Sequence, residues 1–232
     1  MTPDAVVFDF DGVLANSEPL HLQVYQELLA AEGIALAAPE YYERYLGFDD
    51  VGVFEALARD KGLRIANGRL GWLIGRKTQI FQALIARAPV LFPGAATLVR
   101  EVAAVCPIAI ASGALRHEIE WILASAGLSD AFPVIVAAGE APQGKPAPDP
   151  YVRALSLLAD RCQRALAPSL SIAIEDSQWG LVSARAAGLR TLGLATSYPA
   201  EVLTHADVTL PDISRVTVEF LSRLVASPQV EA

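Results

Sequence analysis

Short, almost wholly apolar segments alternate along this chain with longer segments in which apolar residues recur at helical spacing. The apolar segments predict strands at residues 5–9, 107–111, 133–137, 170–174, 190–194 and 207–210. Helical patterns lie between them at residues 94–105, 116–126, 149–160, 178–187 and 214–225. This alternation, with strands apolar at nearly every position, predicts a parallel sheet covered by helices on both faces. In such sheets ligands bind at the carboxyl ends of the strands.

One long segment, residues 17–91, interrupts the alternation. Its apolar residues follow helical spacing, and we find no convincing strand in it. The predicted helices there are Pro19–Glu32, Asp49–Lys61 and about Leu70–Arg87. We therefore predict an α/β catalytic core formed by residues 1–16 and 92–232. An all-helical cap domain, residues 17–91, is inserted after the first strand and directly above its carboxyl end.

Composition narrows the class of protein. The chain has 232 residues, 53% of them hydrophobic, and a mean hydropathy of +0.37, which is enough to bury a substantial core. A net charge of −8 argues against nucleic acid or an anionic membrane as partner. No apolar run reaches the roughly 18 residues of a membrane span, and the first strand begins too early to leave room for a signal peptide.

The two cysteines, Cys106 and Cys162, form no motif and suit a reducing compartment. We expect a cytoplasmic protein that is a monomer or a weak dimer, with no nucleic-acid or membrane partner.

Two acids follow the first predicted strand. Asp9 and Asp11 lie two residues apart, before a turn opened by Gly12, so in an extended chain their carboxylates point to the same side. Carboxylates held this close raise each other's pKa unless a cation or a proton lies between them. The pair suits phosphoryl transfer, which needs bound Mg2+, a carboxylate nucleophile and a separate proton donor. Taken alone, Asp-x-Asp-Gly is also a common turn.

Three further signals follow later strands. They are Ser112-Gly113, Lys145 within a proline-stiffened loop, and the acidic pair Glu175-Asp176. Each has an ordinary structural interpretation: the start of a loop, a solvated lysine, and acids that complement a helix N-terminus. All four signals nevertheless fall on the same edge of the predicted sheet, so together they predict one site that binds phosphate and metal.

These motifs resemble those of the haloacid dehalogenase superfamily, in its phosphatase and phosphomutase branch. The resemblance extends over nearly the full length. Its motifs are Asp9-Phe10-Asp11-Gly12-Val13, Ser112, Lys145 and Glu175-Asp176. The segment 16–21 is similar to the stretch that leads into the family's inserted helical cap. The resemblance implies a Rossmann-like core carrying a cap.

The resemblance also implies roles for the first two acids. Asp9 would be the nucleophile that attacks phosphorus and becomes an aspartyl phosphate. Asp11 would protonate the leaving alkoxide and then take a proton from the attacking water. Dehalogenases and phosphonate-cleaving relatives lack this second acid, so Asp11 disfavours both activities.

The remaining motif residues would hold the metal and the phosphate. The implied Mg2+ ligands are Asp9, the backbone carbonyl of Asp11, Glu175, either directly or through water, and Asp176. The implied phosphate-binding groups are Ser112, the N–H of Gly113, and Lys145.

We expect residues of the cap and of the rim of the site to select the substrate. His21 could reach the leaving group or be a packing residue. Lys77 loosely matches a substrate-binding lysine of β-phosphoglucomutase-like enzymes, with Arg76 as the alternative, and either could instead be a solvated charge. Arg116 could bind a second anionic group or cap its helix.

We therefore predict a Mg2+-dependent phosphatase acting on a small phosphorylated metabolite, a sugar phosphate. A phosphomutase is the alternative, but mutases carry an arginine shortly after the glycine that corresponds to Gly47. Here Phe48, Asp49 and Asp50 follow, and an aspartate would repel a second phosphate. A phospho-accepting signalling domain is a remote third possibility. Such domains place their acidic pair on the first strand and lack a cap.

Overall fold

The structure, a computed structural model, describes residues 1–45, 48, 50–66, 68–87 and 89–227. The chain divides into two compact units. One comprises Met1–Asn16 and Val90–Ala232, and the other is Ser17–Pro89. Gly47 and Asp49, two residues used to compare phosphatase and mutase, lie outside the described residues.

Within the described residues the first unit contains one six-stranded parallel sheet. Its strands are β1 Val6–Phe8, β2 Ile108–Ala111, β3 Val134–Val136, β4 Ile172–Glu175, β5 Arg190–Leu194 and β6 Val208–Leu210. The predicted parallel sheet is thus confirmed. Each predicted strand coincides with an observed one, with boundaries that differ by at most two residues.

The order of the strands across the sheet is β3-β2-β1-β4-β5-β6. The chain fills one side of β1 with β2 and β3 and then crosses to the other side to place β4. The crevice of an open α/β sheet lies where the order reverses in this way. It falls here between the carboxyl ends of β1 and β4.

Nine α-helices accompany the strands in the part of the chain that the structure describes. They are α1 Glu18–Ala30, α2 Ala38–Arg44, α3 Asp50–Lys61, α4 Arg69–Ile85, α5 Ala95–Ala103, α6 Arg116–Ser125, α7 Asp149–Cys162, α8 Gln178–Ala186 and α9 Val218–Ala226. Within the described residues, no helix is long and apolar enough to cross a membrane.

Both faces of the sheet are buried in its central strands. Val7, Ala109 and Ala173 lie opposite one another on neighbouring strands and form a core cluster with residues of α7 and α8. Phe8 and Ile174 point to the other face because side chains alternate along a strand, and both are fully buried as well. Burial on both faces explains why these strands read as continuous apolar runs.

Two helix predictions need correction. Helix α2 was missed because seven residues are too few to show helical periodicity. The last helix begins at Val218 rather than at 214. The Thr217 side chain accepts a hydrogen bond from the backbone N–H of Phe220 at 3.1 Å and so caps α9, while Ile213–Arg215 form a separate 3-10 turn.

Helices α1 to α4 make up the second unit, in which α4 packs against α1 and α3. Aromatic side chains fill its interior, and the rings of Tyr25 and Phe54 meet edge to face at a centroid distance of 5.4 Å. The helical character predicted for this segment is confirmed.

Candidate active site

Three carboxylates from two neighbouring strand ends converge in the first unit. Asp9 directly follows β1, while Glu175 ends β4 and Asp176 follows it. The strands are in parallel register, and the backbone N–H of Asp9 donates to the carbonyl of Ile174 at 2.9 Å. One oxygen from each of the three carboxylates lies within 4.8 Å of the others. All three residues are buried.

The environment of these acids disfavours their simultaneous ionisation. Burial raises the pKa of Asp9 well above its usual value, Lys145 acts in the opposite direction, and Glu175 and Asp176 raise the pKa further. Burial raises the pKa of Asp176 to about 7, and the charge of Glu175 adds to that effect. Three buried acids at this distance are stable as anions only when a cation offsets their charge.

Lys145 supplies one such cation. Its Nζ lies 2.5 Å from Oδ1 of Asp9 and also donates to Oε1 of Glu175. Burial alone would lower the pKa of Lys145, but the two carboxylates outweigh burial and raise it well above its usual value. The ammonium therefore remains charged and holds two of the predicted acids together.

Glu175 is held by donors on both of its oxygens. Its Oε2 accepts from the backbone N–H groups of Asp176 and Ser177, each at 3.1 Å, and from the Ser177 hydroxyl at 3.0 Å. The same hydroxyl accepts from the N–H of Gly180 at 3.1 Å and caps α8. A Cβ at Gly180 would lie 1.7 Å from Oε1 of Glu175, so only glycine fits there.

Gly12 lets the turn after β1 approach the acids. Its φ of +76° is in the left-handed region, and a Cβ there would lie 1.8 Å from Oδ2 of Asp176. The hydroxyl of Thr196 donates to its carbonyl oxygen. Asp11, one residue earlier, is half-buried, and its charge contributes to raising the pKa of Asp176.

The loop after β5 also contributes to the site, although no sequence motif indicated it. Thr196 contacts Gly12, and the hydroxyl of Ser197 hydrogen-bonds to Asp176 and opposes the rise in its pKa. Two adjacent hydroxyl residues just after an apolar strand were the available signal.

The phosphate-binding residues predicted after the second strand lie beside β1. Ser112 follows β2, which pairs with β1, and its backbone N–H donates to the carbonyl of Val136 at 2.9 Å. Its Oγ accepts from the N–H of Ala114 at 3.0 Å, which leaves the hydroxyl proton available to another acceptor. Gly113, between them, is exposed.

Arg116 is engaged elsewhere in the same unit. Its guanidinium forms a two-pronged ion pair with Glu140, at 2.6 and 2.7 Å, and donates to the carbonyl of Ile135 on β3 at 2.8 Å. The predicted contact of Arg116 with a substrate anion stays a prediction.

Lys77 is an interior residue of the helical unit rather than a solvated charge. Its side chain is 1% exposed, and Nζ lies 3.0 Å from Oδ1 of Asp50. The Tyr25 hydroxyl donates to the same oxygen at 2.7 Å. Arg76, by contrast, is exposed and bonds Gln79 on its own helix. Lys77 is thus the inward-facing member of the two candidates.

His21 is a half-buried residue of the same helical unit. Its ring stacks on Phe81 at a centroid distance of 4.4 Å. Burial lowers the pKa of His21 well below its usual value, and the charge of Lys77 lowers it further. A role of His21 at the leaving group is untested by these contacts.

The fold and the site together define a class of enzyme. A parallel α/β sheet carries buried acids and a lysine at its switch point, and a helical unit interrupts the chain after β1. This arrangement is typical of hydrolases that transfer phosphoryl groups.

Comparison with known proteins identifies the family. The profile of the haloacid dehalogenase-like hydrolases matches residues 3–188, and the chain belongs to that family. It is 35% identical to protein CbbY of Rhodobacter capsulatus over 95% of this chain and 98% of that one. It is 28% identical to hexitol phosphatase B of Escherichia coli K12, covering 94% and 96% of the two chains. The family and these relatives support a phosphatase.

A solved structure has the same fold. It is a variant of CbbY from Rhodobacter sphaeroides in complex with xylulose-1,5-bisphosphate, with a TM-score of 0.78 and 28% identity. The match covers 92% of this chain and 96% of that one.

Proposed function

We propose that this phosphatase depends on Mg2+ and hydrolyses a small phosphorylated metabolite, a sugar phosphate, through an aspartyl phosphate on Asp9. The observation that carries the proposal is the convergence of buried carboxylates from β1 and β4, within 4.8 Å, around the ammonium of Lys145. Such a site combines a nucleophile, a positive charge and oxygen ligands for a metal.

The acidic cluster fits Mg2+. Its donors are all oxygens, which a hard divalent cation prefers. Burial raises the pKa of Asp9 and of Asp176, and a bound cation would lower both pKa values again. Asp9, Asp176, the carbonyl of Asp11 and Glu175, directly or through water, would hold the ion. When bound, Mg2+ would neutralise charge on the phosphoryl oxygens.

The reaction would proceed in two displacements. In the first, Asp9 attacks phosphorus, the bond from phosphorus to the alkoxide breaks, and Asp11 gives the alkoxide its proton. In the second, Asp11 takes a proton from water, the water oxygen attacks phosphorus, and the bond to Asp9 breaks. Inorganic phosphate leaves, and both acids return to their starting state.

Lys145, Ser112 and the N–H of Gly113 would hold the transferring oxygens. Donors that are already in position around the charge that develops in the transition state usually make the largest contribution to the rate acceleration. The ammonium of Lys145 is suited to this role because neighbouring carboxylates keep it charged.

A sugar phosphate is supported by the names of the relatives, which include a hexitol phosphatase and a protein in complex with a ketose bisphosphate. Hydrolysis is favoured over a mutase reaction because Asp50 stands in the segment where a mutase carries arginine. Its carboxylate is already bound to Lys77 and Tyr25, so this position offers no positive charge to a second phosphate.

A phosphate-release assay over a panel of sugar phosphates, with Mg2+ and with excess chelator, tests the proposal. We expect turnover only with Mg2+. The Asp9→Asn variant should lose it, while the variant Asp130→Asn, which changes an exposed acid, should retain it. Turnover by the Asp9→Asn protein would contradict the assignment of the nucleophile.

Hexose 1-phosphate supplied with a bisphosphate primer separates the two reaction types. Free phosphate indicates the proposed phosphatase, and an isomerised sugar phosphate would indicate the mutase.

A further inference from the structure

Tyr151 brings a phenol hydroxyl into the interior of the site. It lies in the first turn of α7, and its ring belongs to the core cluster between this helix and the sheet. The residue is 0% exposed. Its hydroxyl donates to Oε1 of Glu175 at 2.9 Å, in a fully buried hydrogen bond. The sequence motifs do not include this residue.

The bond from Tyr151 begins a continuous series of contacts that ends at the nucleophile. Oε1 of Glu175 accepts both the Tyr151 hydroxyl and the ammonium of Lys145. That ammonium also lies 2.5 Å from Oδ1 of Asp9. It lies 5.0 Å from the centre of the Tyr151 ring, within the range of a cation–π contact. The phenol therefore touches both the lysine and its carboxylate partner.

The two oxygens of Glu175 are held from different parts of the chain. Oε2 receives three donors from the residues that immediately follow it, at 3.0 to 3.1 Å. These local bonds fix one end of the carboxylate. Oε1 accepts from Lys145 and from the hydroxyl of Tyr151, which lies on helix α7. Because α7 packs on the sheet, the Tyr151 hydroxyl is held in place and can fix the position of Oε1.

We propose that Tyr151 is a positioning residue that fixes the orientation of Glu175 and, through it, the division of the Lys145 ammonium between Glu175 and Asp9. Without the Tyr151 hydroxyl, Oε1 of Glu175 still accepts from the Lys145 ammonium, which is its charged donor. The ammonium is then drawn toward Glu175 and away from Asp9 and the phosphoryl oxygens. The same loss frees the carboxylate to rotate relative to Asp9 and Asp176.

Two consequences follow, and they are separable. Rotation of Glu175 changes the metal-binding cluster, which affects Mg2+ affinity whether or not the enzyme turns over. Displacement of Lys145 weakens the stabilisation of negative charge on the phosphoryl oxygens during transfer, which affects kcat. Both consequences rest on the proposed Mg2+ site, and only the kinetic one rests also on the proposed phosphatase reaction.

The test is Tyr151→Phe, which keeps the buried ring and removes one oxygen. The matched control is Tyr41→Phe in the helical unit, which removes a comparable bond from a buried tyrosine to Glu18 at 2.8 Å. Mg2+ alone is titrated into metal-free protein by calorimetry, and thermal unfolding is followed without metal. Loss of an outer partner of a metal ligand typically weakens affinity or activity by about 10- to 100-fold.

We expect Tyr151→Phe to weaken Mg2+ binding by about 10-fold or more, and to lower kcat more than it raises KM. Tyr41→Phe should leave both unchanged. If Tyr151→Phe lowers only the melting temperature, with Mg2+ affinity and kcat equal to those of the control, the hydroxyl has a structural role and the proposal is overturned.

A double-mutant cycle with Glu175→Gln provides a second test. Because Tyr151 is proposed to act through this carboxylate, Tyr151→Phe should add little to the loss of Mg2+ affinity already caused by Glu175→Gln. Fully additive losses would overturn the proposal. A wild-type protein that binds Mg2+ but releases no phosphate would contradict the proposed function and leave both binding tests in force.

Discussion

Lys145 Nζ and Asp9 Oδ1 lie 2.5 Å apart, although 136 positions separate the two residues in the sequence. The lysine is half-buried against Asp9 and Glu175, and its charge partly offsets the two carboxylates. This single contact joins the loop before α7 to the end of β1. Pro146 and Pro148 restrict the backbone beside Lys145 and so help to hold its ammonium against both acids.

Lys145→Met should reduce kcat/KM by about 10²- to 10³-fold, the usual cost of removing one preorganised donor from a charge-stabilising site. The measurement is steady-state phosphate release at saturating Mg2+. Lys61→Met, which removes a lysine paired with Glu40 in the helical unit, serves as control. Activity of the Lys145 variant within threefold of wild type would exclude the assigned role.

Gly12→Ala should weaken Mg2+ binding as well as stability. A Cβ there would lie 1.8 Å from Oδ2 of Asp176, so the carboxylate must move. Gly139 offers a matched control, because it has the same φ of +76° and a Cβ added there would meet no neighbouring atom within 4 Å. Both variants should lose roughly 1–2 kcal/mol to backbone strain, measured by urea unfolding. Only Gly12→Ala should lower Mg2+ affinity in calorimetry, and equal affinities would refute the steric argument.

Gly180→Ala and Gly75→Ala should change stability in opposite directions. Both glycines are helical, and alanine is favoured over glycine in a helix by about 1 kcal/mol. Gly75 has open space where a Cβ would lie, so the substitution should stabilise the protein. At Gly180 the added carbon would overlap the carboxylate of Glu175, and crowding of this kind costs about 1–3 kcal/mol. The free energy of unfolding in urea decides the sign.

His21 should make stability depend on pH between 7 and 5. Burial and the charge of Lys77 lower its pKa in the folded state, while the unfolded chain titrates near the ordinary value of about 6.5. Below that value the unfolded state binds more protons, so stability falls as the pH falls, by up to about 1.4 kcal/mol per pH unit. Unfolding free energies of wild type and His21→Gln at pH 7, 6 and 5 test this. Parallel slopes would disprove it.

Much of the core could be predicted because its strands are buried on both faces. Val6–Phe8 and residues 172–174 read as apolar runs for that reason, and such a run can be recognised from the local sequence alone. Boundaries set by side-chain caps were less accurate. The start of α9 depends on whether the Thr217 hydroxyl reaches the backbone of Phe220, which hydrophobic periodicity does not report.

The acids were visible in the sequence because they lie at strand ends: Asp9 follows β1, Glu175 is the last residue of β4, and Asp176 comes after it. Tyr151 was not, since an aromatic residue on a helix is ordinarily a packing residue, and its ring does pack in the core. Only the hydrogen bond from its hydroxyl to Glu175 distinguishes Tyr151 from an ordinary packing residue. Ser197 was likewise missed, because its contact with Asp176 depends on how the loop after β5 folds back.

The sequence by itself determined the fold class, the inserted helical segment and the identity of the candidate acids, since hydrophobic periodicity and residue type are local properties. The tertiary structure alone decided that β1 and β4 are neighbours, and hence that Asp9 lies beside Glu175 and Asp176. It also decided that Lys77 is buried against Asp50 rather than solvated. The physical reason is that burial and ion pairing depend on which surfaces pack together, and residues far apart in the chain supply those surfaces.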